Sequence, residues 1–296
     1  MVNDHCLIQD EEGNIHYFGI ENPFPTAEQA LKVVGGLLRP SDEPFINVLH
    51  KVVHGHLYSA GTHFRVGHAV VSGDIMRSWE RLPAALDPQK GPSKGYGSPY
   101  VVRHDGKYWM FVPSSGTGIY TSTNLTDWTY VEKGTLWGDK TVFGRNHRDP
   151  CVVRMDDGTF FQYFATGWDN GLHTIGLASS KDLMHWKAEE PCYVENLPSG
   201  TPSGFGIFES PFMMRHEGIY YLFVGFAHRQ YYETFVVVSD NPRRFDPKNK
   251  ITTVFSHAPE LIQIDGVTYM SSCGIEDPQA LNRSGLRMCR IRWVSP

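Results

Sequence analysis

Three acidic residues stand directly before short apolar runs, where a charge does nothing to favour strand formation. Asp4 precedes HCLI, Asp149 precedes PCVV, and Glu209 precedes SPFMM. Carboxyl groups that converge on a sugar can cleave a glycosidic bond, one as the acid and another as the base or nucleophile. The alternative is that each acid only forms a turn before its strand. The shared placement of the three acids favours the chemical interpretation.

The three acids belong to a hairpin pattern that recurs along the chain. A hydrophobic run, an Asp-Gly or similar turn and a second hydrophobic run are typical of a β-hairpin. The pattern spans seven or eight residues from a Pro, or in the first copy a His, to a Gly. The five copies are His5 to Gly13, Pro99 to Gly106, Pro150 to Gly158, Pro211 to Gly218 and Pro259 to Gly266.

Each of the first four hairpins is followed by a third apolar run and a polar turn that ends on an aromatic residue. These endings are SGDIMRSW at 72–79, STNLTDW at 122–128, SKDLMHW at 180–186 and, more loosely, SDNPRRF at 239–245. The last four hairpins are spaced by 51, 61 and 48 residues. A repeat of about 50 residues with three or four strands is the signature of a β-propeller. The sequence therefore predicts an all-β, five-bladed β-propeller over residues 1–296, a single domain, rather than a β-sandwich.

In a propeller the first strand of each blade lines the central channel, so the residues leading into it lie at the channel mouth. We call the residues just before the Pro or His the mouth positions: Asp4, Ser98, Asp149, Ser210 and Ala258. With Glu209, they are expected to converge on one funnel. Trp79, Trp128 and Trp186 recur once per blade and are expected to pack between sheets. Candidates for sugar stacking are Trp109, Trp137 and Trp168.

The composition argues against several classes of partner. Lys and Arg number 27 against 32 Asp and Glu, without a basic block, which argues against nucleic acid. No window approaches the roughly eighteen apolar residues of a membrane span. The N-terminal MVNDH lacks the features of a signal peptide, so we expect a cytoplasmic location. The five cysteines indicate free thiols. His54-Gly55-His56 has metal-like spacing without a nearby partner, so neither a metal nor another cofactor is expected.

Five segments carry a family resemblance: VNDH at 2–5, NPF at 22–24, VGHAVVSGDIMRSWERLPAAL at 66–86, RDP at 148–150 and ESP at 209–211. In them the chain resembles the propeller glycoside hydrolases of families 32, 43 and 68, and family 32 most closely. The corresponding motifs of family 32 are W-M-N-D-P-N-G, N-P-F, W-G-H-A-V-S-x-D-L-x-x-W-x-x-L-P-x-A-L, R-D-P and E-C-P. The resemblance covers the whole propeller.

The resemblance implies a role for each acid. Asp4 would be the nucleophile, Glu209 the general acid and base, and Asp149 a stabiliser of the transition state that holds sugar hydroxyls together with Arg148. Further candidates for substrate binding are Asn3, Ser98, Trp168 and His257. The first expectation is a retaining, exo-acting β-fructofuranosidase-like enzyme whose partner is an oligosaccharide or small glycoside.

Departures from the family 32 pattern keep alternatives open. His5-Cys6 replaces the Pro-Asn after the first Asp, Ser210 is closer to the E-G-P of family 43, and no C-terminal β-sandwich is expected. The alternatives are an inverting, family 43-like α-L-arabinofuranosidase or β-xylosidase, and a non-catalytic carbohydrate-binding propeller. Residues 21–62 are an insertion in blade one, and their apolar stretch, Ala27 to Leu38, is expected to pack on the rim or on a second subunit of a homo-oligomer.

Overall fold

A computed structural model describes residues 2–21, 65–88, 90, 96–112, 118–131, 147–166, 174–196, 208–226, 233–272 and 286–294. Within these ranges, twenty strands form five antiparallel sheets, each built on one of the predicted hairpins. The predicted five-bladed β-propeller is therefore confirmed. The predicted insertion at residues 21–62 lies, apart from Glu21, outside the described residues.

The strands follow one another through the blades in chain order. Blade one contains β1 (Val2–Gln9), β2 (Ile15–Glu21), β3 (Arg65–Val71) and β4 (Glu80–Leu86). Blade two contains β5 (Tyr100–His104), β6 (Lys107–Phe111), β7 (Ile119–Ser122) and β8 (Thr129–Val131). Blade three contains β9 (Arg148–Arg154), β10 (Phe160–Thr166), β11 (Thr174–Ser180), β12 (Trp186–Ala188) and β13 (Tyr193–Val194).

The last two blades differ in their number of described strands. Blade four contains β14 (Phe208–His216), β15 (Ile219–Phe226), β16 (Glu233–Ser239) and β17 (Lys250–Phe255). Blade five contains β18 (Glu260–Ile264), β19 (Val267–Ser272) and β20 (Arg287–Ile291). Apart from the strands, a 3-10 turn covers Pro247–Asn249. No helix in the described part of the chain is long and apolar enough to cross a membrane.

Two-residue turns set the register of three of the five hairpins, those of blades two, four and five. Asp105 and Gly106 have φ values of 49° and 70°, and Asp265 and Gly266 have 49° and 77°. Positive φ at both central residues matches the right-handed twist of the flanking strands, which is why Asp-Gly favours this turn. Because side chains alternate along a strand, a fixed register also fixes which of the two neighbouring blades each side chain faces.

The aromatic residue that ends each repeat packs on the preceding blade. Trp128 makes an edge-to-face contact with Phe18 of blade one, with ring centroids 5.6 Å apart, and Trp186 meets Phe111 of blade two at 5.7 Å. Trp79 packs against the cluster that joins blades one and five. The predicted packing of these tryptophans between sheets is confirmed, and it is what holds neighbouring blades together.

Blades one and five close the ring without sharing a sheet among the described residues. Ile15, Val71 and Ile75 of blade one form a buried cluster with Tyr269 of blade five. Side-chain packing rather than a strand ladder therefore joins the first blade to the last. Cys6, Cys151 and Cys192 are buried and Cys289 is exposed, and all four are free thiols, as predicted.

Candidate active site

The backbone takes the same uncommon conformation at four of the five mouth positions. Ser98, Asp149, Ser210 and Ala258 have φ values of 47°, 54°, 45° and 45°, and each is followed by a proline. This left-handed conformation is unfavourable for residues with a side chain, and such strained residues concentrate at functional sites. The shared conformation places equivalent side chains of different blades around one axis.

All five mouth positions line a single depression of about 250 Å³ that opens to solvent. Its other lining residues are His5, Pro99, Pro150, Pro211 and Glu260. The structure therefore brings the mouth positions together at one end of the channel. Asp149 and Glu209 are each only 5% exposed.

Two residues, Ser210 and Arg148, tie the three acids to one another. The hydroxyl group of Ser210 donates to Oδ1 of Asp4 at 2.6 Å, and its backbone N–H donates to Oδ2 of Asp149 at 3.2 Å. The guanidinium group of Arg148 contacts Oδ2 of Asp149 and lies 3.2 Å from Oε2 of Glu209. Each of these residues joins two of the acids, so the three carboxyl groups form one cluster.

A third side chain, His257, lies between Asp4 and Glu209. Its Nε2 is 3.8 Å from Oδ1 of Asp4, and its Nδ1 is 3.7 Å from Oε1 of Glu209. These contacts and the width of an imidazole ring bound the separation of those two oxygens at roughly 10 Å, a bound that covers both geometries of two-carboxylate glycosidases. Among the described residues, Oε1 of Glu209 is buried and has no hydrogen-bond partner, so its polar capacity is left unused.

Burial raises the pKa of Glu209 and the pKa of Asp4. The pKa of Glu209 rises to about 8, first because the side chain is desolvated and then because Asp149 and Asp4 carry negative charge, while Arg148 opposes the rise. Desolvation, followed by the charge of Asp149, raises the pKa of Asp4 to about 7 against the opposing effect of Ser210. Near neutral pH, Glu209 therefore retains its proton while Asp4 is partly ionised, a combination suited to acid and base roles.

Gly225 makes room for Glu209. The two residues are paired between β14 and β15, and a Cβ atom on Gly225 would lie 2.9 Å from the backbone oxygen of Glu209 and 3.3 Å from its Cγ. A glycine inside a strand often marks such a close approach. The sequence shows a glycine at position 225, but it does not show that this glycine is paired with Glu209.

Glu260 and His5 also belong to the site and were not predicted as site residues. Glu260 lies two residues after Ala258 and lines the depression, and burial followed by the charge of Asp4 raises its pKa well above the usual range. In the sequence, nothing distinguishes Glu260 from an ordinary residue at the start of a strand. His5 could have been noticed because it stands where the other four hairpins have a proline.

The other residues predicted to bind sugar differ in where they lie. Ser98 donates to Oδ1 of Asp149 at 2.5 Å, so it supports that carboxylate, and its contact with sugar stays a prediction. Asn3 lies on β1, but its side chain is not among the described ones, and Trp137 and Trp168 lie outside the described residues. Sugar stacking by Trp109 is wrong: its ring packs between blades two and three and its indole donates to the carbonyl of His104.

Within the described ranges, no group of three or more His, Cys, Asp or Glu side chains is arranged to hold a metal ion. The charges of the acidic cluster are instead met by Arg148 and by the hydrogen-bond donors of Ser98 and Ser210. These contacts account for Asp149 most completely, because both of its carboxylate oxygens accept from donors.

Comparison with known proteins identifies the architecture. No protein-family model matches the chain, and no curated protein matches it. Among solved structures, a GH43_1 enzyme from Xanthomonas citri complexed with xylotriose has a TM-score of 0.67 at 12% identity, and the match covers 99% of this chain and 88% of that one. An α-L-arabinofuranosidase of family GH43 from Clostridium thermocellum has a TM-score of 0.66 at 13% identity, covering 99% and 90%.

Family GH32 is represented as well. A β-fructofuranosidase from Bombyx mori has a TM-score of 0.60 at 17% identity, and the match covers 92% of this chain and 54% of that one. The chain shares its fold with glycoside hydrolases of families 43 and 32. At these identities the likeness concerns the fold, and it does not single out family 32.

Proposed function

We propose that this chain is a glycoside hydrolase in which Asp4 and Glu209 are the catalytic pair. The observation that carries the proposal is that the buried carboxyl group of Glu209 and the partly buried one of Asp4, from different blades, face the two nitrogen atoms of His257 at 3.7 and 3.8 Å. Their raised pKa values and the fold shared with glycoside hydrolases support it.

Glu209 acts as the general acid. Arg148 holds Oε2, which leaves Oε1 to carry the proton toward the substrate. Transfer of that proton to the glycosidic oxygen breaks the bond between this oxygen and the anomeric carbon, and the leaving group departs as a neutral alcohol. The resulting carboxylate of Glu209 can later take a proton from water.

Asp4 is the catalytic carboxylate that acts opposite Glu209. Ser210 holds Oδ1, so the ionised carboxylate attacks the anomeric carbon through its other oxygen in a retaining reaction. Water then releases the sugar while Glu209 accepts its proton. In an inverting reaction, Asp4 would instead remove a proton from the attacking water.

Asp149 stabilises charge rather than transferring protons. Its oxygens accept from Ser98 and the backbone of Ser210 and contact Arg148, so no oxygen is left to donate a proton. Its negative charge favours the oxocarbenium-like transition state and raises the pKa of both partners.

The proposed substrate is a short furanoside. The family 32 motif at residues 66–86 favours a β-fructofuranoside, cleaved from the chain end with retention. A second candidate is an inverting pentosidase that acts on an α-L-arabinofuranoside or β-xyloside. It is supported by Ser210 in place of the family 32 cysteine and by the fold shared with an α-L-arabinofuranosidase and with an enzyme complexed with xylotriose.

A panel of aryl glycosides and short fructans, arabinans and xylans tests the proposal. Asp4→Asn and Glu209→Gln should each lower kcat by several orders of magnitude while circular dichroism stays unchanged. Asp105→Asn, the same change in an exposed turn, is the control. Proton NMR of the first-formed anomer decides between retention and inversion. Saturable sugar binding without turnover in the unmodified protein would instead identify a non-catalytic carbohydrate-binding propeller.

A further inference from the structure

Asp4 is held differently from the other mouth positions. The other four combine a left-handed residue with a following proline, whereas Asp4 does not have positive φ and is followed by His5. The pairing of β1 with β2 is also irregular between Val2 and His5. Asp4, the proposed nucleophile, therefore lacks the left-handed backbone and following proline that orient the other mouth side chains.

His5 makes a contact that no proline could make. Its Nε2 lies 2.6 Å from Oγ of Ser271 on β19, and the two residues are 3% and 0% exposed. Ser271 donates its single hydroxyl proton to the backbone oxygen of Glu260 at 3.3 Å. The hydroxyl oxygen therefore accepts from an N–H of His5, which assigns the proton of the neutral ring to Nε2.

The ring of His5 is fixed by its surroundings. It stacks on Tyr17 with centroids 5.6 Å apart, and its backbone is paired with Gly19. A Cβ atom on Gly19 would lie 3.0 Å from the Cβ of His5, so the close approach depends on a glycine. Burial lowers the pKa of His5 to about 3, so the ring stays neutral and keeps its donor across the pH range of enzyme assays.

The contact lies at the junction of the ring. Blades one and five share no sheet within the described residues, and the hydrogen bond from His5 to Ser271 crosses between them one residue after Asp4. We propose that His5 is a positioning residue whose hydrogen bond to Ser271 holds the carboxylate of Asp4 against Ser210. The role of Asp4 on which this rests is that of the proposed function.

Three variants separate the hydrogen bond from the bulk of the side chain. Ser271→Ala removes the acceptor. His5→Asn shortens the side chain so that its amide cannot reach Ser271, whereas the amide nitrogen of His5→Gln can replace Nε2. We expect Ser271→Ala and His5→Asn to lower kcat about 10- to 100-fold with KM changed less than about twofold, as for small displacements of a reacting group. His5→Gln should recover most of kcat.

A pH profile distinguishes positioning from loss of stability. When β1 is released, water reaches Asp4, the desolvation that raises its pKa weakens, and the acidic limb of kcat/KM moves to lower pH. Tyr163→Phe is the control, because it removes a hydrogen bond of another buried side chain, from Tyr163 of blade three to the backbone oxygen of Pro242, which does not involve blade one. Tyr163→Phe should lower Tm without shifting the acidic limb of the kcat/KM profile.

A readout without substrate separates this inference from the proposed function. The 13C resonance of the Asp4 carboxyl carbon, assigned with Asp4→Asn, should titrate at lower pH in Ser271→Ala and His5→Asn than in the unmodified protein. A protein inactive on every glycoside would remove the proposed function but leave this test intact. The positioning role is overturned if both variants keep the original titration, or if His5→Gln is no better than His5→Asn. If Ser271→Ala does not fold, the comparison of His5→Asn with His5→Gln decides whether His5 has the positioning role.

Discussion

The hydroxyl group of Ser210 donates a hydrogen bond to Oδ1 of Asp4 over 2.6 Å, so that the residue next to Glu209 holds the carboxyl group of Asp4. This bond favours the ionised form of Asp4 and opposes the rise in its pKa. Ser210→Ala should therefore raise the pKa of Asp4 further and move the acidic limb of kcat/KM to higher pH. The shift, measured with an aryl glycoside, should be about one pH unit or less.

Ser98→Ala provides the matched control for this substitution. Ser98 is a mouth position with nearly the same φ, 47° against 45°, but its hydroxyl donates to Asp149 rather than to Asp4. Its removal should move the limb less than Ser210→Ala does. Equal shifts in the two variants would show that the bond to Asp4 is not the cause.

The activity should pass through a narrow maximum between pH 7 and pH 8. Catalysis needs Asp4 ionised, with a pKa of about 7, and Glu209 protonated, with a pKa of about 8. Below this window Asp4 is protonated, and above it Glu209 has lost its proton. A plot of kcat/KM against pH from 5 to 10 checks the expectation. A broad plateau that extends to pH 5 would contradict it.

Asp4 should lower the stability of the fold above about pH 7. Its pKa is about 7 in the folded protein against a usual value of 3.8, so between these values the folded state binds more protons than the unfolded state. The free energy of unfolding therefore falls as pH rises through this interval. Asp4→Asn removes the titration and should raise Tm by several degrees at pH 8.5.

The same variant should have little effect on Tm near pH 4, where Asp4 is protonated in the folded protein. Thermal unfolding followed by circular dichroism at both pH values gives the difference. A gain in Tm that is equal at pH 4 and pH 8.5 would mean that burial of the charge is not responsible.

Gly225→Ala should damage acid catalysis in particular. The added methyl group meets the backbone oxygen of Glu209 at 2.9 Å and displaces the general acid. Hydrolysis of a glycoside with a poor leaving group should fall more than tenfold, whereas a dinitrophenyl glycoside, which leaves without a proton, should be affected less. Gly176→Ala, which meets the ring of Phe164 in blade three, should lower Tm without this dependence on the leaving group.

The insertion gives a prediction that rests on sequence alone. Residues 26–60 are replaced by a short Gly-Ser linker, and the product pattern, KM and mass in solution are compared with those of the full chain. Because the segment from Ala27 to Leu38 is too apolar to face solvent, we expect weaker substrate binding or loss of a homo-oligomer. Unchanged values in all three measurements would show that the insertion serves neither purpose.

The architecture could be predicted because it depends on short-range signals that repeat. Glycine-containing turns such as Asp265-Gly266 recur in all five blades and terminal aromatics such as Trp128 in four, and repetition turns weak local signals into a strong one. The convergence of Asp4, Asp149 and Glu209 followed from the same repeat, since equivalent residues of a propeller face a common axis.

The contacts within the site could not be predicted in the same way. That Ser210 reaches Asp4, that Gly225 clears space for Glu209, and that His5 meets Ser271 all depend on distances between strands or blades. Trp109 shows the same limit, because only the register of β6 reveals which way its ring points. A sequence states which residues are equivalent, but not how far each side chain reaches.

The left-handed backbone at Ala258 has a consequence for how such a site can change over time. This fifth mouth position has the same φ as Ser210 and lines the same depression, yet its side chain is a single methyl group. Because the conformation is set by the repeat and not by the side chain, one nucleotide change in an alanine codon can place a carboxylate or a hydroxyl on the channel axis without rebuilding the blade. The ring thus contains a vacant position at which selection, or a protein engineer, can introduce a new specificity.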